Sequence, residues 1–302
     1  MKKWNRMAMA GALTLSIIAG NSMLALAEEK TTFTIAYAPN ESTEQGTDAR
    51  NGLAADLGEA LGMEVKEIQA SDYNAIIEAL RTGNADMAYM GALAVAMAVD
   101  RADAAPIVMK APEGDKEKAV YHSVLITQAD NDEINSIEDI KGKTMAFVDP
   151  DSTSGNLVPT FEIIKAFPDD NLDTDILHTN GEFFEAVSFS GQHQAGLQAV
   201  IKGDVDVAPI SDQILASEIA NGNAEEGAVK IIHSSDAIPA EAMVIGTSVE
   251  EELQAKLVDF LTAYDNKDYF SQVIKVDGAR FVKCDVTDYE PIIELNETIN
   301  AE

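Results

Sequence analysis

The sequence predicts an α/β protein in which two lobes enclose a cleft. Strand-like and helix-like segments alternate along the chain, which is typical of mainly parallel sheets covered by helices on both faces. The alternation falls into two series, and the chain passes between them twice. Neither passage contains a long flexible linker, so we expect hinge motion to be confined to a few residues.

The first series starts with a period-two apolar pattern and continues with helical spacing that stops at Gly62. The same pattern then repeats. Its predicted segments are strand 33–38, helix 49–61, strand 64–70, helix 73–83, strand 85–90 and helix 91–102.

A long β-like run over 119–128 carries the chain into the second series. Its predicted segments are strand 144–149, helix 157–167, strand 175–179, helix 192–202, strand 204–210, a helix from Asp212 and strand 228–234. Residues 242–248 form another strand, and amphipathic helices follow from Val249. We therefore predict lobe 1 from residues 31–123 with 242–302, and lobe 2 from 124–241.

The first 27 residues have the pattern of an export signal peptide. Basic residues lead, residues 7–20 are apolar and small, and Ala25-Leu26-Ala27 fits a cleavage site. The apolar run is too short to span a bilayer comfortably. No cysteine is present for lipid attachment near the cleavage site, so we expect a soluble periplasmic or otherwise extracytoplasmic protein.

Charge and cysteine content restrict the possible partners. The net charge of −31 makes nucleic acid and anionic membrane surfaces poor partners. Cys284 is the single cysteine, so no disulfide forms within the chain. An anionic ligand would need a local group of donors that overcomes the acidic surroundings, and dipolar donors supply this without a long-range positive charge.

Common enzyme and cofactor motifs are missing from the sequence. It has no complete phosphate loop, no G-x-S-x-G elbow, no H-E-x-x-H and no C-x-x-C. Its histidines lack metal-ligand spacing. We predict no cofactor and no metal.

Residues 149–160 place three hydroxyl side chains and a glycine where a helix begins. One hydroxyl would suffice as a helix cap. Three hydroxyls, the first-turn amides and the helix dipole together also suit an anion such as phosphate. Ser152, Thr153 and Ser154 are therefore candidate anion ligands, with helix capping as the alternative.

Further polar and aromatic residues stand at strand ends and at the two passages. Tyr73 opens a helix and Tyr121 lies in the first passage, where core packing is the alternative role. His193 lies near a helix start and could donate to an anion, with an exposed or capped histidine as the alternative. Asp212 and Glu241 could receive a ligand cation.

The chain resembles the periplasmic phosphonate-binding proteins of ABC transporters. The resemblance is carried by residues 71–102, 121–126, 149–159, the segment around His193 with 200–208, and 238–244. It covers most of the chain in order, and its most specific part is Ser-Thr-Ser-Gly after Asp-Pro. The resemblance implies a two-lobed periplasmic-binding-protein fold of type II with two crossover strands as its hinge.

The same resemblance assigns roles to the candidates. The phosphonate oxygens would be held by Ser152, Thr153, Ser154, Tyr73, Tyr121 and His193. The ammonium of an aminoalkylphosphonate would face Glu241 and either Asp212 or Gln213. Residues 91–94, Gly-Ala-Leu-Ala, replace the Gly-Pro and Ser-Tyr pair of phosphite-type relatives and favour the phosphonate branch.

The expected function is therefore the solute-binding component of an ABC importer. It would be a monomer that captures a phosphonate, closes and docks on a membrane permease. A phosphite or phosphate receptor of the same fold is the alternative. An exported phosphoester or phosphonate hydrolase using Ser152, or a sensory receptor, is a further one.

Overall fold

The computed structural model describes residues 31–39 and 44–300. The predicted signal peptide at 1–27 lies outside this part of the chain. Among the described residues, no helix combines the length and apolar character that a membrane span requires.

Lobe 1 is built on a six-stranded mixed sheet in the described part of the chain. Its strands are β1 (Thr32–Tyr37), β2 (Glu64–Gln69), β3 (Met87–Met90), β4 (Ala105–Ala111), β12 (Ala242–Ile245) and β13 (Arg280–Lys283). They lie in the order β13-β4-β12-β3-β1-β2. β1 runs parallel to β2 and β3, whereas β12, which arrives from the other lobe, is antiparallel to both of its neighbours.

Lobe 2 contains β6 (Ser123–Gln128), β7 (Thr144–Phe147), β8 (Ala186–Phe189), β9 (Ala208–Ser211) and β10 (Val229–Ser234). β6 pairs antiparallel with β9 and β10, and β7 pairs parallel with β8. A parallel bridge between Met145 and Val207 joins the two groups of strands. As with β12 in lobe 1, the strand that enters from the other lobe, β6, is antiparallel to both strands with which it pairs.

Helices cover the sheets. They are α1 (Thr47–Leu61), α2 (Tyr73–Arg81), α3 (Ala92–Ala102), α4 (Val158–Ala166), α5 (Thr174–His178), α6 (His193–Lys202), α7 (Asp212–Ala220), α8 (Glu251–Ala263), α9 (Lys267–Gln272) and α10 (Glu290–Asn300). α2 is an example of how the sequence forms these helices. The Asp72 carboxylate accepts a hydrogen bond from the Ala75 N–H at 2.8 Å and so caps the helix start. Ile76, Ile77 and Leu80 form its buried face.

Most predicted elements are confirmed, but residues 175–179 form a helix and not a strand. The Asp173 carboxylate accepts a hydrogen bond from the Ile176 N–H at 2.7 Å and so starts α5. The alternating apolar pattern was misleading because so short a segment fits both periods. The strand that pairs with β7 is β8, and β4 was not predicted. The prediction of helices alone from Val249 onward was wrong at residues 280–283, which form β13 and pair with β4.

Both passages between the lobes take part in one small ribbon. β5 (Val120–Tyr121) pairs antiparallel with β11 (Ile238–Pro239), and Tyr121 lies opposite Ile238. The ribbon places the first passage beside the segment that leads to Glu241. The predicted lobe boundaries at 123/124 and 241/242 stay a prediction.

The core of lobe 1 has a layer on each face of its sheet. Phe33, Ile35 and Tyr37 of β1 pack on one face, and Ala36 with the α2 and α3 side chains packs on the other. The second layer also includes Leu157. This residue ends the turn formed by residues 152–157 of lobe 2, which we call the serine-rich turn. The lobes are therefore in direct apolar contact next to the predicted anion ligands.

Candidate functional site

A small cavity lies where the two lobes and the two passages meet. Its volume is about 20 Å³. Seven of the eight predicted ligand-binding residues line it, together with Ala38 and Gly91: Tyr73, Tyr121, Ser152, Thr153, Ser154, His193 and Glu241. The eighth, Asp212, does not.

The serine-rich turn is a cap and a cavity wall at once. Ser152 Oγ accepts a hydrogen bond from the Gly155 N–H at 3.1 Å, and a π-helical turn over Thr153–Leu157 leads into α4. A Cβ on Gly155 would lie 2.4 Å from the Cβ of Val148. Only glycine permits this approach, so Gly155 is what brings the three hydroxyl residues against the end of β7.

Thr153 links the two lobes across the cavity. Its Oγ1 accepts a hydrogen bond from the Leu93 N–H at 2.8 Å, in the first turn of α3. Gly91, just before α3, lines the cavity. In the sequence, residues 91–94 stand out only as a difference from phosphite-type relatives. The structure shows that they bring a second helix N-terminus, with its positive dipole end, to the site.

The two tyrosines reach the cavity from different elements. The buried Tyr121 hydroxyl lies next to the side chains of Ser154 and Thr153. Burial, followed by the charge of Glu241, raises the pKa of Tyr121, so its phenol stays protonated and able to donate. Tyr73 is the first residue of α2, and its backbone N–H donates to the Asp149 carboxylate of the Asp-Pro pair. Asp149 thus joins α2 to the serine-rich turn.

His193 is held as a neutral donor. The backbone N–H of Ser211 donates to His193 Nδ1 at 3.2 Å, and an N–H can only donate, so the ring proton is on Nε2. Burial, with a smaller effect of the Lys110 charge, lowers the pKa of His193 to about 3. The imidazole therefore contributes a dipolar N–H at neutral pH and no charge.

Glu241 does not stand alone on the cavity wall, because Lys110 is its partner. Lys110 Nζ lies 2.6 Å from Glu241 Oε2 and 5.6 Å from the centroid of the Tyr121 ring. The backbone N–H of Lys110 also donates to the Glu241 carbonyl at 3.1 Å. Lys110 was not among the predicted site residues. The sequence feature that could have indicated this residue is a single lysine within the otherwise apolar segment 105–111.

Asp212 and Gln213, the two candidates for the second ammonium contact, bind the first passage instead. Asp212 Oδ1 accepts hydrogen bonds from the backbone N–H groups of His122 and Gln213, at 3.0 and 2.8 Å. Gln213 Nε2 donates to the Val120 carbonyl at 3.1 Å. Both side chains therefore fix the position of the ribbon that carries Tyr121.

The described residues contain no group of three or more His, Cys, Asp or Glu side chains that could hold a metal ion. The cavity offers hydroxyl and N–H donors, one ion pair and two helix N-termini. Such a set suits the binding of a small oxyanion.

Comparison with known proteins decides the family. The family model for the periplasmic phosphonate substrate-binding proteins of ABC transporters matches residues 35–289. This chain belongs to that family. Its members are solute-binding proteins and not enzymes, and the match confirms the resemblance and the two-lobed fold class.

Three relatives illustrate the range of this family. The phosphate-import protein PhnD of Mycolicibacterium smegmatis is 29% identical over 262 residues, covering 85% of this chain and 78% of the relative. The phosphonates-binding periplasmic protein of Escherichia coli is 30% identical over 213 residues, covering 69% and 59%. The solved structure of a binding component of an ABC phosphonate transporter from Pseudomonas aeruginosa matches with a TM-score of 0.76 at 25% identity, covering 89% and 87%.

Proposed function

We propose that this protein captures a phosphonate or a closely related phosphorus oxyanion in the cavity between its lobes and delivers it to the permease of an ABC importer. The observation that carries the proposal is the convergence of donors from separate elements on one cavity. Ser152, Thr153 and Ser154 come from lobe 2, Tyr73 from lobe 1 and Tyr121 from the first passage.

The hydrogen-bond donors of the cavity can offset the desolvation free energy of a bound oxyanion. A buried anion needs hydrogen bonds to most of its oxygen atoms. Hydroxyl groups, the Nε2–H of His193 and the Tyr121 phenol provide such bonds without charge. Lys110, paired with Glu241, places a buried cation beside these donors.

Ligand entry requires the lobes to separate. The cavity volume of about 20 Å³ is close to that of a single water molecule. The hydrogen bond from Leu93 to Thr153 crosses from lobe to lobe and must break for the ligand to enter. The paired passages β5 and β11 form the hinge of this motion, and a ligand that contacts both lobes favours closure.

An aminoalkylphosphonate is the second candidate ligand. Glu241 lines the cavity, and a carboxylate there could accept an ammonium group. The pairing of Glu241 with Lys110 opposes this contact, and Asp212 offers no second acid.

Titration calorimetry tests the proposal, on protein that has been unfolded and then refolded to remove any bound ligand. The ligands are methylphosphonate, phosphite, phosphate and 2-aminoethylphosphonate, with sulfate for comparison. We expect one site that binds at least one phosphorus oxyanion more tightly than sulfate. Ser154→Ala should weaken it by about 10- to 100-fold, the effect of losing a hydrogen bond to a charged group.

The exposed Ser188 gives the matched control, and Ser188→Ala should leave the affinity unchanged. Refolded protein that binds none of the four phosphorus compounds would refute the proposed function. The role as importer component and monomer is tested separately, by binding of the loaded protein to its permease and by its mass in solution.

A further inference from the structure

Lys110 stands out because it is a buried cation that ligand-binding considerations did not predict. It lies near the end of β4 and is 3% exposed. β4 pairs with β12, and this pairing brings the lysine beside Glu241, the residue before β12. Both the backbone and the side chains of the two residues are in contact.

The ion pair engages Oε2 of the Glu241 carboxylate. Lys110 Nζ is 2.6 Å from Glu241 Oε2, in surroundings where both charges are largely removed from water. A buried charge left without its partner is strongly destabilising, so neither group gives up the other readily. A ligand ammonium at Glu241 would have to displace Lys110 or lie beside its like charge.

The ion pair of Lys110 and Glu241 also lies close to the predicted ligand donors. The Lys110 ammonium lies 5.6 Å from the Tyr121 ring centroid. Burial, with a smaller effect of the Lys110 charge, lowers the pKa of His193, which is consistent with a cation near the donor set. An ammonium placed next to Lys110 would meet its like charge.

We propose that Lys110 sets the ligand class of the site: by pairing with Glu241 it selects phosphorus oxyanions whose substituent carries no cation and rejects aminoalkylphosphonates. Lys110 is a positioning residue, since it acts through Glu241. The inference rests on the proposed function and goes further by naming which members of the ligand class bind.

The wild-type protein provides the first test. We expect methylphosphonate to bind at least about tenfold more tightly than 2-aminoethylphosphonate, because the carboxylate on the cavity wall is already paired with Lys110. Binding of 2-aminoethylphosphonate as tight as that of methylphosphonate would overturn the assignment of Lys110 and leave the proposed function intact. Loss of binding to every phosphorus oxyanion would instead remove the proposed function itself.

Two substitutions should change the ratio of the affinities for methylphosphonate and 2-aminoethylphosphonate in opposite directions. Lys110→Met exposes the Glu241 charge to the cavity, and the affinity ratio should shift at least about tenfold toward 2-aminoethylphosphonate. Glu241→Gln leaves the lysine charge unopposed and should shift the ratio toward methylphosphonate. A purely structural pair would change both affinities together, and an unchanged ratio in both variants would overturn the proposal.

Controls separate these effects from folding and from net charge. Lys110→Arg keeps the cation and should keep the wild-type ratio. Lys116→Met removes a lysine from the exposed ion pair with Asp288 and should also leave the ratio unchanged. If Lys110→Met does not fold, Glu241→Gln and the wild-type ratio still decide the question.

Discussion

The side-chain oxygen of Thr153 accepts a hydrogen bond from the backbone N–H of Leu93 at 2.8 Å, and this bond connects the starts of two helices in different lobes. Each helix start has unpaired N–H groups and the positive end of a dipole. The cavity lies beside this junction, so Thr153, which we assign to the ligand, also holds the lobes together.

Thr153→Val removes the acceptor and keeps the shape of the side chain. The buried Leu93 N–H then lacks its partner in the closed form, which should cost about 1–3 kcal/mol of closure free energy and weaken ligand binding correspondingly. Calorimetry with the tightest phosphorus oxyanion measures this loss. Thr153→Ser keeps the hydroxyl and should retain most of the affinity; equal loss in both variants would contradict the account of this bond.

Gly155→Ala should distort the serine-rich turn. The added Cβ would meet Val148 at 2.4 Å, and the forced shift should lower the free energy of unfolding by about 1–3 kcal/mol and weaken ligand binding. Gly52 in α1 offers the matched control, since its nearest neighbour to a new Cβ is 3.9 Å away. Gly52→Ala should raise stability by about 0.5–1 kcal/mol. Urea unfolding that gave both variants the same sign would argue against the close approach at Gly155.

His193→Gln tests the neutral imidazole through the pH dependence of stability. The pKa of His193 is about 3 in the folded protein, below its ordinary value near 6.5, so the unfolded chain binds the extra proton between these pH values. Stability from this group is therefore present above pH 6.5 and is lost as the pH falls toward 3. Relative to His193→Gln, the wild-type free energy of unfolding should rise from pH 4.5 to pH 7. A constant difference would show that the ring is not kept neutral by burial.

Asp212→Ala distinguishes a structural carboxylate from a ligand contact. The substitution leaves the His122 and Gln213 N–H groups without their acceptor, so we expect a loss of about 1 kcal/mol in stability. The affinity ratio of 2-aminoethylphosphonate to methylphosphonate should stay as in the wild type. A selective loss of 2-aminoethylphosphonate binding would restore Asp212 as an ammonium contact.

The sequence was sufficient for most of the fold because most strands and helices have their own local signal. The βα alternation of residues 33–102 is one case, and the hydroxyl cluster after β7 is another. It failed at 175–179, where one turn of apolar residues fits either a strand or a helix until the Asp173 cap is seen.

The partner of Glu241 could not be found from local pattern. Lys110 and Glu241 lie far apart in the sequence, and only the pairing of β4 with β12 brings them together. The contribution of α3 was hidden for the same reason, since its N-terminus faces Thr153 only after both lobes have formed.

The most direct test of the central claim is a crystal structure of the refolded protein with methylphosphonate. We expect the phosphonate oxygens to lie within hydrogen-bonding distance of the Ser152, Thr153 and Ser154 side chains, the two tyrosine hydroxyls and His193 Nε2, with Lys110 still paired to Glu241. A phosphonate bound elsewhere, or held without the serine-rich turn, would contradict the account.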